Sequence, residues 1–139
     1  EKVSKKYGKC FVLAADTVVA CGRRILPKAE TEAEADRCLN LLSGRRHKVL
    51  GAVVVCSPSG NQIHRVATSS VTFKKLTQQE INFYLKTGAW EGKAGGYAIQ
   101  GLAATYIRAL NGSYSNVVGL PLYETYQMLK GMGFNHKIT

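Results

Sequence analysis

The chain is 139 residues long, 45% hydrophobic, and carries a formal net charge of +10. That length fits one domain around one core, and no apolar run approaches the roughly 20 residues of a membrane-spanning helix, so a membrane role is not expected. The charge favours anionic partners, but the basic residues fall in scattered pairs (Lys5-Lys6, Arg23-Arg24, Arg45-Arg46, Lys74-Lys75), so charge alone leaves both nucleic acid and a small phosphorylated ligand open.

The first residues, EKVSKKYGK, are polar and basic, lack an initiator Met and contain no signal-peptide core. They read as a chain entered partway. Residues 10–20 (CFVLAADTVVA) form a nearly continuous apolar run and read as a buried strand, with Asp16 as its one charge. Cys21-Gly22 is a turn, and residues 23–26 return as a short strand. Thr31-Glu32-Ala33-Glu34 is a capping box. Ala35, Cys38, Leu39 and Leu42 follow at helical spacing, which predicts a helix over 32–43. Residues 48–56 and 62–74 are two strands around the turn Pro58-Ser59-Gly60-Asn61, expected as a hairpin. Thr77-Gln78-Gln79-Glu80 opens a second helix, to about Lys86, with Ile81, Tyr84 and Leu85 inward. Residues 87–101 are a glycine-rich loop, 105–110 a strand, and 113–119 lead into a last helix over 121–131 that starts at Pro121. Strands and helices interleave around a hairpin. The expected fold is α/β, one domain over 1–139, with a mixed sheet flanked by helices.

A carboxylate inside a strand is either paired or binds something, because an unpaired buried charge costs several kcal/mol. Asp16 therefore reads as a metal ligand or a base, or as a structural partner for an arginine. Lys28 lies beyond the turn and comes back toward Asp16 if the first two strands pair; otherwise it is a surface lysine. The segment Gly88-Ala89-Trp90-Glu91-Gly92-Lys93-Ala94 is not a P-loop: three residues, not four, separate its glycines, Ala follows the lysine, and it comes after a helix. What remains is a glycine loop, including Gly95 and Gly96, whose backbone can approach a phosphate, with Lys93 as a point charge and Gln100 as an amide. An ordinary solvated loop is the alternative. Trp90 and Tyr97 either stack on a base or pack. His47, His64 and His136 read as structural or solvated, and Cys10, Cys21, Cys38 and Cys56 as reduced thiols of a cytoplasmic protein, since neither set has metal-ligand spacing.

Taken in order, Ala15-Asp16-Thr17-Val18-Val19, Leu26-Pro27-Lys28, Leu42-Ser43-Gly44 with His47, Val71-Thr72-Phe73, KAGGYAIQG (93–101) and GSYSNVVGLPL (112–122) resemble the Maf family, the septum-formation-inhibitor-like nucleotide pyrophosphatases. The match runs along nearly the whole chain. The resemblance implies a fold like that of inosine triphosphate pyrophosphatases and hydrolysis of a nucleoside triphosphate to monophosphate and pyrophosphate with a divalent metal, Mg²⁺ or Mn²⁺. It also implies that Asp16 is the catalytic, metal-linked carboxylate, that Lys28 and Lys93 bind phosphate, and that Thr17 and Gln100 govern substrate choice. Thr and Gln at those two positions look like the dTTP/UTP branch. Family members carry a Ser-Pro-Arg-Arg-type motif in a longer segment before the counterpart of Asp16, where this chain has fifteen residues, so an N-terminally truncated Maf domain is expected. An uncovered sheet edge would favour a homodimer. The alternative is a catalytically impaired fragment serving as an interaction or nucleic-acid-binding module, which the lack of any RRM, KH or helix-turn-helix signature argues against.

Overall fold

In the computed structural model, which describes residues 10–134, the first apolar run forms strand β1 (Val12–Cys21). It turns at Gly22, where φ is +61°, into β2 (Arg24–Leu26). Helix α1 (Glu32–Leu42) follows. Its capping box is fully formed: Glu34 N–H donates to Thr31 Oγ1 at 3.2 Å, and Thr31 N–H donates to Glu34 Oε1 at 3.0 Å. Strands β3 (Arg46–Cys56) and β4 (Gln62–Phe73) make the expected hairpin, in register from Arg46↔Thr72 to Cys56↔Gln62. Helix α2 (Gln78–Thr87) is capped at Thr77 and stops at Gly88, whose φ of 72° is left-handed.

The five strands among the described residues form one sheet in the order β2-β1-β3-β4-β5. The α/β class and the flanking helices are as expected, but the sheet is not mixed: every pairing among the described strands is antiparallel. Three local differences come after the glycine loop. Residues Leu102–Tyr106 are a 3-10 turn, so the last strand, β5, begins only at Ile107 and runs to Asn111. The 113–119 stretch contains a five-residue helix, α3 (Tyr114–Val118), capped by Ser113. Pro121 is the cap, not the first turn, of α4 (Leu122–Gly131).

The helices cover one face of the sheet. Under α1, α2 and the glycine loop lies the main core, with Val19, Val49, Val71 and Phe73 from the sheet and Leu39, Leu42, Ile81 and Tyr84 from the helices. A smaller cluster of Val53, Val55 and Met128 sits under α4. The single tryptophan, Trp90, is 7% exposed and donates its indole N–H to the carbonyl of Leu85 at 2.8 Å. β1 is buried only in its second half. From Leu13 to Asp16 it is exposed, so Asp16 is not a buried charge. The basic segment 1–9 and His136 lie outside the described residues.

Candidate functional site

The short β1–β2 pairing, Val19↔Leu26 to Cys21↔Arg24, carries Pro27-Lys28 back alongside β1. The glycine loop is then stitched to this returning segment. Ala29 N–H donates to Lys93 O at 3.0 Å, Gly92 N–H to Ala29 O at 2.8 Å, and Gly95 N–H to Pro27 O at 3.1 Å, around the bridge Lys28↔Ala94. Two lysines 65 positions apart in the chain are thus carried on backbone segments that pair with each other. Lys28 Nζ stands 3.9 Å from Asp16 Oδ1, with side chains 59% and 70% exposed. The same carboxylate oxygen accepts from Thr17 N–H at 2.9 Å. At such exposure the ion pair contributes little to stability, so the geometry leaves both charges available to a ligand.

Asp16, Thr17, Lys28, Lys93 and Gln100 line one open cleft of about 250 Å³. Neighbouring residues on a strand point to opposite faces. Asp16 and Thr17 both reach the cleft because β2 pairs only with residues 19–21, so the preceding edge of β1 has no partner among the described strands and the cleft wraps it. Gly95 and Gly96 do not line the cleft. A Cβ at Gly95 would press on Val19 at 3.1 Å, and one at Gly96 on the backbone of Ala35 at 3.3 Å. Their role in the structure is close packing of the loop onto β1 and α1, at φ of 74° and 77° that only glycine adopts without strain.

Tyr97, expected either to stack or to pack, also lines the cleft, as do three residues with no sequence signal of their own: Val49 on β3, and Val117 and Val118 on α3. Only the intact GSYSNVVGLPL motif hinted at α3. Its anchor is Asn116, 0% exposed, whose amide donates to Val49 O at 3.0 Å, Ala67 O at 3.1 Å and Ser69 Oγ at 3.1 Å. Its Oδ1 lies over Gly51, where any side chain would strike it. His47 is 1% exposed, and its Nε2 lies 2.6 Å from the Tyr97 hydroxyl. Burial pushes His47 down to about 4, so the ring is neutral at physiological pH, and burial raises Tyr97 above the usual phenol range. Trp90 and Tyr97 both pack, though Tyr97 also borders the cleft. All four cysteines are free; Cys21 and Cys38 are buried, Cys10 and Cys56 half-buried.

Among the described residues no cluster of three or more His, Cys, Asp or Glu could enclose a metal. Among the described residues, Asp16 is the one carboxylate that lines the cleft. A lone exposed carboxylate can hold a divalent cation only with oxygen ligands supplied by a substrate. No helix among the described residues is long and apolar enough to cross a membrane.

Fold and cleft define the class: a single-domain α/β protein with a lysine-lined, anion-attracting cleft at the free edge of an antiparallel sheet. The family model for Maf-like protein matches residues 1–132, and the chain belongs to that family. Among its relatives, a protein of Granulibacter bethesdensis named dTTP/UTP pyrophosphatase is 65% identical over 124 residues, covering 89% of this chain and 58% of the relative. Proteins of the same name from Paramagnetospirillum magneticum and Mesorhizobium japonicum are 61% and 54% identical, over 95% and 96% of this chain and 70% and 64% of theirs. The chain thus spans 58 to 70% of the length of these relatives.

Proposed function

We propose that this protein is a nucleotide pyrophosphatase that hydrolyses dTTP and UTP to the monophosphate and pyrophosphate. The observation that carries the reading is the convergence of Asp16, Lys28 and Lys93 on one cleft in a chain whose relatives bear that activity in their names. Lys28 and Lys93, on paired segments lining the cleft, bind the β- and γ-phosphates, and their charge draws the triphosphate in. Asp16 orients the attacking water and accepts its proton as oxygen adds to the α-phosphorus. The bond from that phosphorus to the bridging oxygen breaks, and pyrophosphate leaves with the electron pair, its charge met by the two lysines. A divalent ion, Mg²⁺ or Mn²⁺, held by Asp16 and the substrate phosphates, would supply further charge neutralisation. Gln100 and Thr17 face the rest of the nucleotide. An amide offers a donor and an acceptor at once, as the edge of thymine or uracil requires.

The test is pyrophosphate release from dTTP, UTP, CTP, dATP and GTP, with Mg²⁺ or Mn²⁺ and with chelator. Faster turnover of dTTP and UTP, lost on chelation, is expected; preference for GTP overturns the base assignment, and absence of turnover on every nucleotide overturns the activity. The free cysteines suit a reducing cytoplasm. The open edge of β1 before Val19 suits pairing with a second copy; a monomer in light scattering would remove that homodimer.

A further inference from the structure

The loop that carries Lys93 and Gln100 has its middle residue, Tyr97, bonded to the sheet below through one buried polar pair. The Tyr97 ring borders the cleft, while its hydroxyl meets Nε2 of His47, on β3, at 2.6 Å. The two residues are 6% and 1% exposed. Their rings pack edge to face with centroids 5.4 Å apart, and Phe73 closes the group at 5.4 Å from His47 and 4.9 Å from Tyr97. Nδ1 of His47 has no partner, so the Tyr97 hydroxyl supplies the hydrogen bond that its ring has. If the hydroxyl moves away, a desolvated imidazole and a desolvated phenol are both left unpaired, which is far costlier than losing the same bond in water. An apolar pair of similar volume would fill the space but would tolerate sliding. The polar pair is satisfied in one position only.

The two ends of the loop are held differently. Around Lys93 the backbone is tied to residues 27–29 by three hydrogen bonds. Past Tyr97 the polar ties are fewer: Ala98 N–H donates to the Tyr84 hydroxyl at 3.0 Å, Ile99 packs into the main core, and Gln100 is exposed before the 3-10 turn begins. Apolar packing of Ile99 tolerates sliding, so the register of the Gln100 end depends on the polar bond that fixes Tyr97.

We infer that His47 is a positioning residue: through the Tyr97 hydroxyl it fixes the glycine loop on β3 and so sets where Gln100 stands across the cleft from Thr17. The kinetic consequence rests on the pyrophosphatase reading, whereas the structural one does not. Two measurements separate them.

The first is steady-state kinetics with dTTP at neutral pH for H47L, Y97F, the double variant and H47Q. Losing the latch should raise KM about tenfold with kcat within about threefold, because the Lys93 end stays tied while nucleotide placement loosens. The double variant should be no worse than either single variant, since both remove one bond, and H47Q, which keeps a polar group for the hydroxyl, should recover most of the loss. A purely structural role would instead lower the folded fraction, reducing apparent kcat at unchanged KM. The second is amide hydrogen exchange on the nucleotide-free chain. In Y97F, the amide of Ala98, which donates to the Tyr84 hydroxyl, should exchange about tenfold faster while those of Val49 and Val71 in the ladder do not change. A kcat loss at constant KM, additive single variants, or exchange raised equally in loop and ladder would each overturn the positioning role. If the wild-type chain turns over no nucleotide, the pyrophosphatase reading fails, and the exchange pattern alone decides on the latch.

Discussion

One face of one sheet supports two unequal halves. Under α1, α2 and the glycine loop, twenty described residues form a continuous buried cluster; under α4 the buried cluster is Val53, Val55 and Met128. β1 runs through both. Its ladder to β3 is unbroken from Val12↔Cys56 to Ala20↔Lys48, yet Val19 is 2% exposed and Leu13, on the same face, 40%. The backbone is equally regular in both halves, and what differs is the cover. The cleft lies at the seam, where the loop's cover ends and α3 begins, with Asp16 and Thr17 on β1 beside Gly51 on β3. Side chains placed there take rigidity from the ladder and keep access to solvent, the two things a binding site needs at once.

That contrast makes separable predictions. The largest effect is on chemistry alone: Asp16→Asn should reduce dTTP turnover by ~10²–10⁴-fold and leave the melting temperature unchanged, because the residue belongs to neither core. Near-wild-type rates would remove Asp16 from the reaction.

Next comes the seam itself. Gly51→Ala places a methyl group against Asn116 Oδ1, and Asn116, fully buried and bonded to both β3 and β4, has nowhere to swing. A loss on the order of 3 kcal/mol is expected in urea unfolding. An Ala variant as stable as wild type would mean that α3 is not pinned as described.

The well-covered half should also carry a pH signature. His47 titrates near 4 when folded, against 6.5 for a free imidazole. The unfolded chain therefore takes up a proton that the native state refuses. Stability is full above pH 6.5 and falls as pH drops toward 4, by up to ~3 kcal/mol. Glu34 and Glu80 are held below the usual carboxylate range by hydrogen bonds, Glu34 chiefly by the backbone N–H of Glu30 and Glu80 chiefly by the Lys74 ammonium, so they respond lower down. Between pH 6.5 and about 5 the slope should belong to His47 and flatten in H47Q; an unchanged slope in that variant would place its origin elsewhere. The smallest effect is at the helix starts over the same half: Thr77→Ala removes the hydroxyl that accepts from Glu80 N–H at 3.1 Å and should cost ~1 kcal/mol in thermal unfolding.

The elements were legible wherever a local rule governs them. Thr31 with Glu34 and Thr77 with Glu80 announced two helices, and the turn at Cys21-Gly22 was enough to bring Lys28 back to Asp16. The sequence was silent where the deciding partner is distant. Strand direction in the sheet depends on how far elements cross over, not on their own residues, and so a mixed sheet was expected where an antiparallel one formed. Tyr114–Val118 is too short to show a helical period, and Thr105 and Tyr106, the last two residues of the 3-10 turn, are β-forming residues that locally read as the start of the strand. The apolar run before Asp16 suggested burial, but apolar residues are common on surfaces and the covering layer is a tertiary fact. His47 looked inert because a lone histidine carries no spacing signal. Gly95 and Gly96 were expected to let the backbone approach a phosphate; their packing on Val19 and Ala35 was not legible, because a glycine required for close packing is indistinguishable, in sequence, from one required for a ligand.

Trp90 gives the molecule an internal optical gauge. It is the only indole in the chain, sits in the loop three residues before Lys93, and is buried with its N–H bonded to Leu85 O. Its carbonyl in turn accepts the N–H of Lys93 at 3.1 Å. A shift of the Lys93 backbone on engaging an anion would be passed along that linkage and alter the polarity around the ring. Emission excited in the red edge of the tyrosine absorption would then follow pyrophosphate or nucleotide titration without label, turnover or added reporter.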